Sequence, residues 1–476
     1  MKQRIKNYII TGLCLLFGLL AGSCKIGKSY VRPSLNLPEQ IAGQQDTLTF
    51  ADKKWWEIYT DVTLQNLIMK SLEHNKDMLI AAARVKEMAA QKRIKVANLL
   101  PQINGTVNGE REWENHGGDN AKKNDTFEGQ FLFSWELDLW GNLRWAKDAS
   151  VAEYLSTVEA QRALRMTIVS EVAQAYYELV ALDNELSIVK QTLEARKEGV
   201  HLAKLRFEGG LTSETSYQQA QVELARTATL IPDLERKISL KENDIAFLAG
   251  EYPNKIKRSL LLQEFNFPDS LPVGMPSELL ERRPDIRQAE QLLVAANAEV
   301  GVAFTNMFPR ISLTGKYGLE STDLSDFLKS PYGLLNGTLL TPIFAMGKNR
   351  AMLKAKKAAY EQEVYRYEKS VLSAFKEVKN AIVDFNKIKE VYDAKLRLER
   401  AAKSYVELAQ LQYINGVINY LDVLDAQRGY FDAQIGLSNA IRDELIAVVQ
   451  LYKALGGPQC SAPADSLTRR TPHGQR

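Results

Sequence analysis

The polar and apolar positions of this chain follow two different periods. From Lys348 to Asn415 there are 68 residues with neither Gly nor Pro, and from Asn142 to Glu198 there are 57. At 1.5 Å rise per residue the longer run predicts a helix of roughly 100 Å, several times the usual length. Within it Val371, Phe375, Val378, Ile382, Phe385, Tyr392 and Leu396 recur at spacings of three and four or their sum, with charged residues between them. That is a coiled-coil seam. Each rod ends at a glycine turn and returns, over Thr212 to Ala249 in one case and Asn419 to Leu455 in the other. Ser213 and Asn419 are the expected N-caps, each with a polar residue three positions on, Ser216 and Asp422.

Between the helices the period falls to two. In Phe127, Gly129, Phe131, Phe133, Trp135, Leu137 and Leu139 every second residue is apolar or Gly, and Glu128, Gln130, Ser134, Glu136 and Asp138 fill most of the gaps. Such a stretch suits a strand with one face in lipid and the other in water, for which about 9 to 11 residues cross a bilayer. Ile311, Leu313, Gly315, Tyr317 and Leu319 repeat the pattern, with Ser312, Thr314 and Lys316 opposite. The predicted strands are about 102–113, 126–139, 309–320 and 333–344. A hairpin half-buried in a soluble domain is the other reading of the alternation. Against it, no apolar helix is available to cover the strands, and four strands cannot close a barrel alone.

The second half of the chain copies the first at an offset of 206 to 208 residues. Asp77 to Pro101 falls on Asp285 to Pro309, Gly141-Asn142-Leu143-Arg144 on Gly347-Lys348-Asn349-Arg350, Arg206-Phe207-Glu208-Gly209-Gly210 on Gln412-Tyr413-Ile414-Asn415-Gly416, and Gly250 on Gly456. A tandem duplication follows, with repeats at 64–250 and 251–457.

Residues 1–23 read as a signal peptide: Lys2, Arg4 and Lys6 precede an apolar run, Ile9 to Ala21, too short to span a bilayer. The run closes on Leu20-Ala21-Gly22-Ser23-Cys24, a lipobox-like sequence, so Cys24 is the expected site of lipidation and the start of an extended segment, 24–63. An ordinary secretory signal with an incidental cysteine is the simpler alternative. Residues 458–476 read as a flexible tail containing Cys460.

Composition narrows the function by exclusion. With 45% hydrophobic and 25% charged residues the chain is not a disordered one. Lys+Arg 61 against Asp+Glu 58 becomes an even balance once the three leader cations are set aside, which predicts no nucleic-acid partner. The four histidines and three cysteines are scattered without ligand spacing, and no nucleophile, base or phosphate loop stands out. Neither an enzyme nor a cofactor or metal is expected, beyond covalent lipid on Cys24.

Several motifs give the chain a specific resemblance. They are Tyr30-Val31-Arg32-Pro33, Trp55-Trp56 with Tyr59 and Asp61, Trp135-Glu136-Leu137-Asp138-Leu139-Trp140-Gly141, Arg282-Arg283-Pro284-Asp285-Ile286, Phe308-Pro309-Arg310-Ile311-Ser312-Leu313, and Tyr420-Leu421-Asp422-Val423-Leu424-Asp425-Ala426-Gln427-Arg428. Over about Ser29 to Gly457 the chain resembles outer-membrane factors of the TolC/OprM/NodT type, the outer-membrane lipoprotein channels of RND efflux systems. It departs at Phe344-Ala345-Met346-Gly347, which lacks the Gly-Gly pair common there and so puts the local backbone in question.

The resemblance implies a mainly α protomer with a membrane β-barrel portion. Four strands from each of three chains would make a 12-strand barrel, and the helices a long periplasmic barrel. It implies an outer-membrane location, a homotrimer, a periplasmic adaptor protein, an inner-membrane RND-type pump, and drugs or other small molecules as cargo. It also implies a pore gate at Leu421, Asp425 and Arg428, at i, i+4 and i+7 of one helix, with Tyr413 tethering neighbouring helices. On the residues alone, Asp425 and Arg428 read as an ordinary intrahelical pair on a solvated face. Gly209, Gly210, Asn415 and Gly416 are helix-hairpin tips with C-cap chemistry, and by resemblance they contact the adaptor. Two further readings stand beside the efflux duct. One is a duct for polypeptides in a type I secretion system, against which the lipobox and Tyr-Val-Arg-Pro argue. The other is a lipid-anchored coiled-coil spacer, against which the alternating segment argues.

Overall fold

The structure, a computed structural model, describes residues 25–35, 37–38, 52–114, 122–264 and 276–457. The signal peptide, Cys24, Cys460 and the tail lie outside the described residues. In order the chain forms α1 (Trp55–Ile58), α2 (Val62–His74), α3 (Lys76–Ala97), β1 (Gln102–Glu114), β2 (Lys122–Leu137), α4 (Asn142–Glu208) and α5 (Glu214–Leu248). There follow α6 (Pro276–Arg282), α7 (Pro284–Thr305), β3 (Arg310–Ser321), β4 (Pro331–Leu340), α8 (Lys348–Ile414) and α9 (Tyr420–Ala454).

The two halves match element by element. Helices α4 and α8 have 67 residues each, α5 and α9 have 35, and α3 and α7 have 22. Glycines with positive φ punctuate both copies at the same places: Gly141 and Gly347 (82° and 79°), Gly210 and Gly416 (71° and 74°), Gly250 and Gly456 (72° and 91°). These positions need a left-handed backbone that a Cβ disfavours. Met346 takes φ 47° beside Gly347, the one described non-glycine in that region and the place where the Gly-Gly pair is missing.

The strands form one antiparallel sheet in the order β1-β2-β3-β4. Register places Phe131 against Gly105 and Tyr317, Phe133 against Ile103 and Gly315, and Trp135 against Leu313. Large side chains thus lie beside glycines on one face, and the face is exposed: Val107, Phe131, Tyr317 and Leu335 are all open to the surroundings. On the other face Tyr332 donates its hydroxyl to Glu128 Oε1 (3.0 Å) and Gln130 Oε1 (2.7 Å). Among the described residues β1 and β4 are edges with unpaired backbone groups on their outer sides.

Two strands, β2 and β4, differ from the sequence expectation at both ends, and β2 starts at Lys122 rather than 126. β2 stops at Leu137 rather than 139, because the Asp138 carboxylate turns back to accept the N–H groups of Leu143 (3.1 Å) and Arg144 (3.0 Å), starting α4. β4 runs from 331 to 340 rather than 333 to 344, and Pro342, which has no N–H to donate, follows its end. A third expectation also changes: Ser213 makes no side-chain cap. Backbone bonds close both helix starts alike, Ser216 to Ser213 and Asp422 to Asn419 (3.2 Å each), but only the Asp422 carboxylate accepts the Asn419 N–H (3.1 Å).

The chain divides into two compact units, each drawing on both repeats through their described residues. The first takes 1–35, 83–159 and 288–369, and contains the sheet. Here Trp145 is buried with Ala149 and Ala298, its indole N–H on the Ile26 carbonyl (2.8 Å), and a Cβ at Gly301 would lie 2.4 Å from its ring. Arg32 grips Glu290 through two bonds (2.6 and 2.7 Å), and Tyr30 adds a third (3.2 Å), which gives the Tyr-Val-Arg-Pro motif a structural task.

The second unit takes 36–82, 160–287 and 370–476. Its largest core packs Tyr59, Leu64 and Ile68 against Val172, Tyr176, Val180, Leu445 and Val449. Asp61 caps α2 through the N–H groups of Thr63 (2.7 Å) and Leu64 (3.2 Å), and accepts Tyr176 Oη (2.7 Å). The predicted seam of α8 is largely inward: Val378 and Phe385 are buried with Val448, Leu451 and Tyr452 of α9. Arg283 ties Asp285, Glu377 and the Ala454 carbonyl together at 2.6 to 2.7 Å.

Candidate functional site

The helix-hairpin tips are closed by the same pair of backbone bonds. Leu211 N–H reaches the Arg206 carbonyl (2.8 Å) and Gly210 N–H that of Phe207 (2.9 Å); Val417 reaches Gln412 (2.9 Å) and Gly416 reaches Tyr413 (3.0 Å). This is the Schellman arrangement, with Gly209 and Asn415 as the last residues before the left-handed glycines. Leu211, Ile414 and Val417 stand exposed around these turns.

Next to the tips, Ala203, Ala220, Tyr413, Tyr420, Val423 and Leu424 form a small core shared by α4, α5, α8 and α9. The rings of Tyr413 and Tyr420 are 5.3 Å apart, and the Arg206 guanidinium sits 4.7 Å from the Tyr413 ring. Burial pushes the Tyr420 phenol up to about 12 and also raises that of Tyr413, against the pull of Arg206. The buried Tyr413 hydroxyl has no hydrogen-bond partner among the described residues.

The first turns of α9 split the three sequence-derived gate residues into two groups. Leu421 and Asp425 share an exposed face, four residues apart, while Val423, Leu424 and Ala426 face the core. Arg428 turns elsewhere: its Nη2 meets Glu223 Oε1 on α5 at 2.6 Å. The ordinary Asp425–Arg428 pair therefore does not form within the chain among the described residues.

Glu223 and its partners were not legible as a site in the sequence. Its side chain is 3% exposed, and Arg196 of α4, itself 7% exposed, comes to 3.0 Å from Oε2. Arg226 lies 3.4 Å from Oε1. Burial opposes ionisation of Glu223, and the Arg428 bond together with the charges of Arg196, Arg428 and Arg226 overrides it, holding the carboxyl below the usual range. One signal was available: at the offset of 206, Arg196, Glu223 and Arg428 correspond to Ala402, Gly429 and Val222, so the cluster has no counterpart in the other repeat.

A family model for "Outer membrane efflux protein" matches residues 67–251 and 275–457. The chain belongs to that family. The cation efflux system protein CusC of Escherichia coli K12 is 30% identical over 441 residues, covering 91% of this chain and 96% of that protein. Outer membrane protein OprJ of Pseudomonas aeruginosa is 32% identical over 466 residues, 93% of this chain and 95% of that protein. Among solved structures, the outer-membrane channel OprN superposes with a TM-score of 0.85 at 27% identity, over 91% of this chain and 99% of that one. The protein is an outer-membrane efflux channel, mainly helical with a β portion. The family forms channels, as expected of a chain whose sequence carries no catalytic constellation. No described helix is long and apolar enough to cross a membrane. The sheet has the exposed apolar face that the membrane-spanning part of an outer-membrane efflux protein needs.

Proposed function

We propose that the protein works as a passive homotrimeric exit duct, coupled by a periplasmic adaptor to an inner-membrane RND-type pump that drives drugs or other small molecules outward. The observation that supports this most directly is the open sheet: four strands, an apolar face and two unpaired edges, in a chain of the efflux family. Three copies give three times four strands, enough to close a barrel and remove every edge. The duct needs no energy source or cofactor of its own, and the pump selects the cargo.

In this reading Leu421 and Asp425 face the axis, so the trimer carries an apolar collar and a carboxylate ring one turn away. Tyr413, buried against Tyr420 beside the turn, tethers neighbouring helices at the tip, α8 to α9. Gly209, Gly210, Asn415 and Gly416 hold the turns whose exposed apolar neighbours receive the adaptor. Cys24 carries the lipid, which adds an anchor to the contact the barrel makes with the bilayer. Purified protein in planar bilayers tests the duct: discrete conductance steps from the trimer are expected, and a trimer that never conducts overturns it.

A further inference from the structure

The two strand hairpins are joined by unlike sequences at the end of the sheet away from the helices. The first connection, Asn115 to Asn120, is all polar or Gly; the second carries Leu324, Phe327 and Leu328 among Asp323, Ser325, Asp326 and Lys329. Successive i→i+3 backbone bonds wind this second loop: Asp326 N–H to the Asp323 carbonyl (3.2 Å), Phe327 to Leu324 (3.4 Å), Lys329 to Asp326 (2.9 Å) and Ser330 to Phe327 (3.4 Å). Residues three apart eclipse in such a turn, so Leu324 and Phe327 share a side. The Asp323 carboxylate accepts the Ser325 N–H (2.8 Å), and the Glu320 N–H meets the Ser330 carbonyl (3.0 Å), closing the hairpin.

The Phe327 ring shows which way the loop leans. A Cβ on Gly129 would lie 3.0 Å from Phe327 Cζ. Gly129 is in register with Val107 and Leu319, on the face that also carries Phe131 and Tyr317. The ring therefore lies on the apolar outer face, and not over the polar face where Tyr332 meets Glu128 and Gln130. Register also gives its height. On the apolar face the Arg111–Asp125 pair (2.5 and 2.6 Å) marks where charge begins, four residues beyond Gly129, about 13 Å along the strand. Trp113, an exposed aromatic of the kind that stands at a membrane interface, is two residues farther still. Phe327 thus sits at a depth where the wall is apolar, and Leu324 and Leu328 beside it are 66% and 79% exposed.

We propose that the β3–β4 loop is a lipid-docking element: it folds outward over the sheet and lays Leu324, Phe327 and Leu328 among the acyl chains of the outer leaflet, with Asp323, Asp326 and Lys329 at the headgroups. The occupant is lipid because the patch continues the lipid-facing face and lies inside the level set by Arg111, Asp125 and Trp113. This rests on the reading of the sheet as the membrane wall. The loop then anchors the rim of the duct and leaves the mouth uncovered.

The test places a nitroxide at Leu324→Cys, Leu328→Cys, Ser325→Cys and Phe131→Cys, each with Cys460→Ser, in heat-stable trimers reconstituted into vesicles of phosphatidylethanolamine and phosphatidylglycerol. Collision with oxygen, which concentrates among acyl chains, should exceed collision with a water-soluble nickel chelate several-fold at 324, 328 and 131, and the order should reverse at 325. Chelate access at 324 and 328 with oxygen access at 131 overturns the loop alone, as do labels at 324 and 328 shielded from both, which would place them against protein. Chelate access at 131 as well defeats the wall reading itself. Where one leucine variant fails to assemble, the other decides. Leu324→Gln with Leu328→Gln should keep the wild-type single-channel conductance; a rise would mean that the loop roofs the mouth, and would overturn its outward placement.

Discussion

Single residues carry two kinds of constraint here, conformational and electrostatic. Met346 holds a left-handed backbone that costs a residue with a Cβ about 1 kcal/mol relative to Gly. Met346→Gly is therefore expected to raise stability by about that amount, read as a shift in the unfolding midpoint. Gly301 is the opposite case: an added methyl would meet the Trp145 ring at 2.4 Å, so Gly301→Ala should destabilise by about 1 to 3 kcal/mol. Gly429, inside α9 with nothing within 4 Å of an added Cβ, is the control, and Gly429→Ala should be neutral or stabilising by up to about 1 kcal/mol. At the tip, Asp425→Ala removes a carboxylate from the exposed face it shares with Leu421. The expected outcome is a larger conductance, and larger still with Leu421→Ala, because the collar and the ring act at different heights. A conductance unchanged in the assembled double variant would remove Leu421 and Asp425 from the gate.

At the scale of the element, helices and strands were legible for different reasons. The two 67-residue helices announce themselves by runs of 57 and 68 residues without Gly or Pro, α4 continuing through Gly199 to Glu208, and the left-handed glycines fix where they end. The β2 alternation gave the strand but not its end, because Asp138 continues the polar phase while leaving the ladder to cap a helix. The charge cluster was hidden for a simpler reason. Glu223 sits in a helix rich in exposed acids, and its partner Arg428 is 205 residues away, so no local period marks it as buried. The sheet makes a sharp prediction. Phe131 faces outward on the apolar side and Gln130 on the side of Tyr332. Phe131→Lys should impair assembly, at about 2 to 4 kcal/mol for a cation facing lipid near the midplane, while Gln130→Lys should be mild. Equal yields of heat-modifiable trimer for the two variants would contradict the assignment of faces.

For the whole molecule, duplication and closure belong together. Each repeat supplies one strand hairpin and one long helical hairpin, and the four strands join into a sheet that ends in free edges on both sides. Such edges are a hazard in a solitary chain, and a symmetric ring of chains removes them. Lipidation is a separate matter: Cys24→Ser should abolish acyl labelling while the barrel keeps its own membrane contact, so trimer is expected to form still. The measurement that bears most directly on the central claim is the native mass of the protein extracted in detergent. A mass of three mature chains, each with its lipid, is the expected result. A mass corresponding to one, two or four chains would contradict the closure of the sheet by threefold assembly.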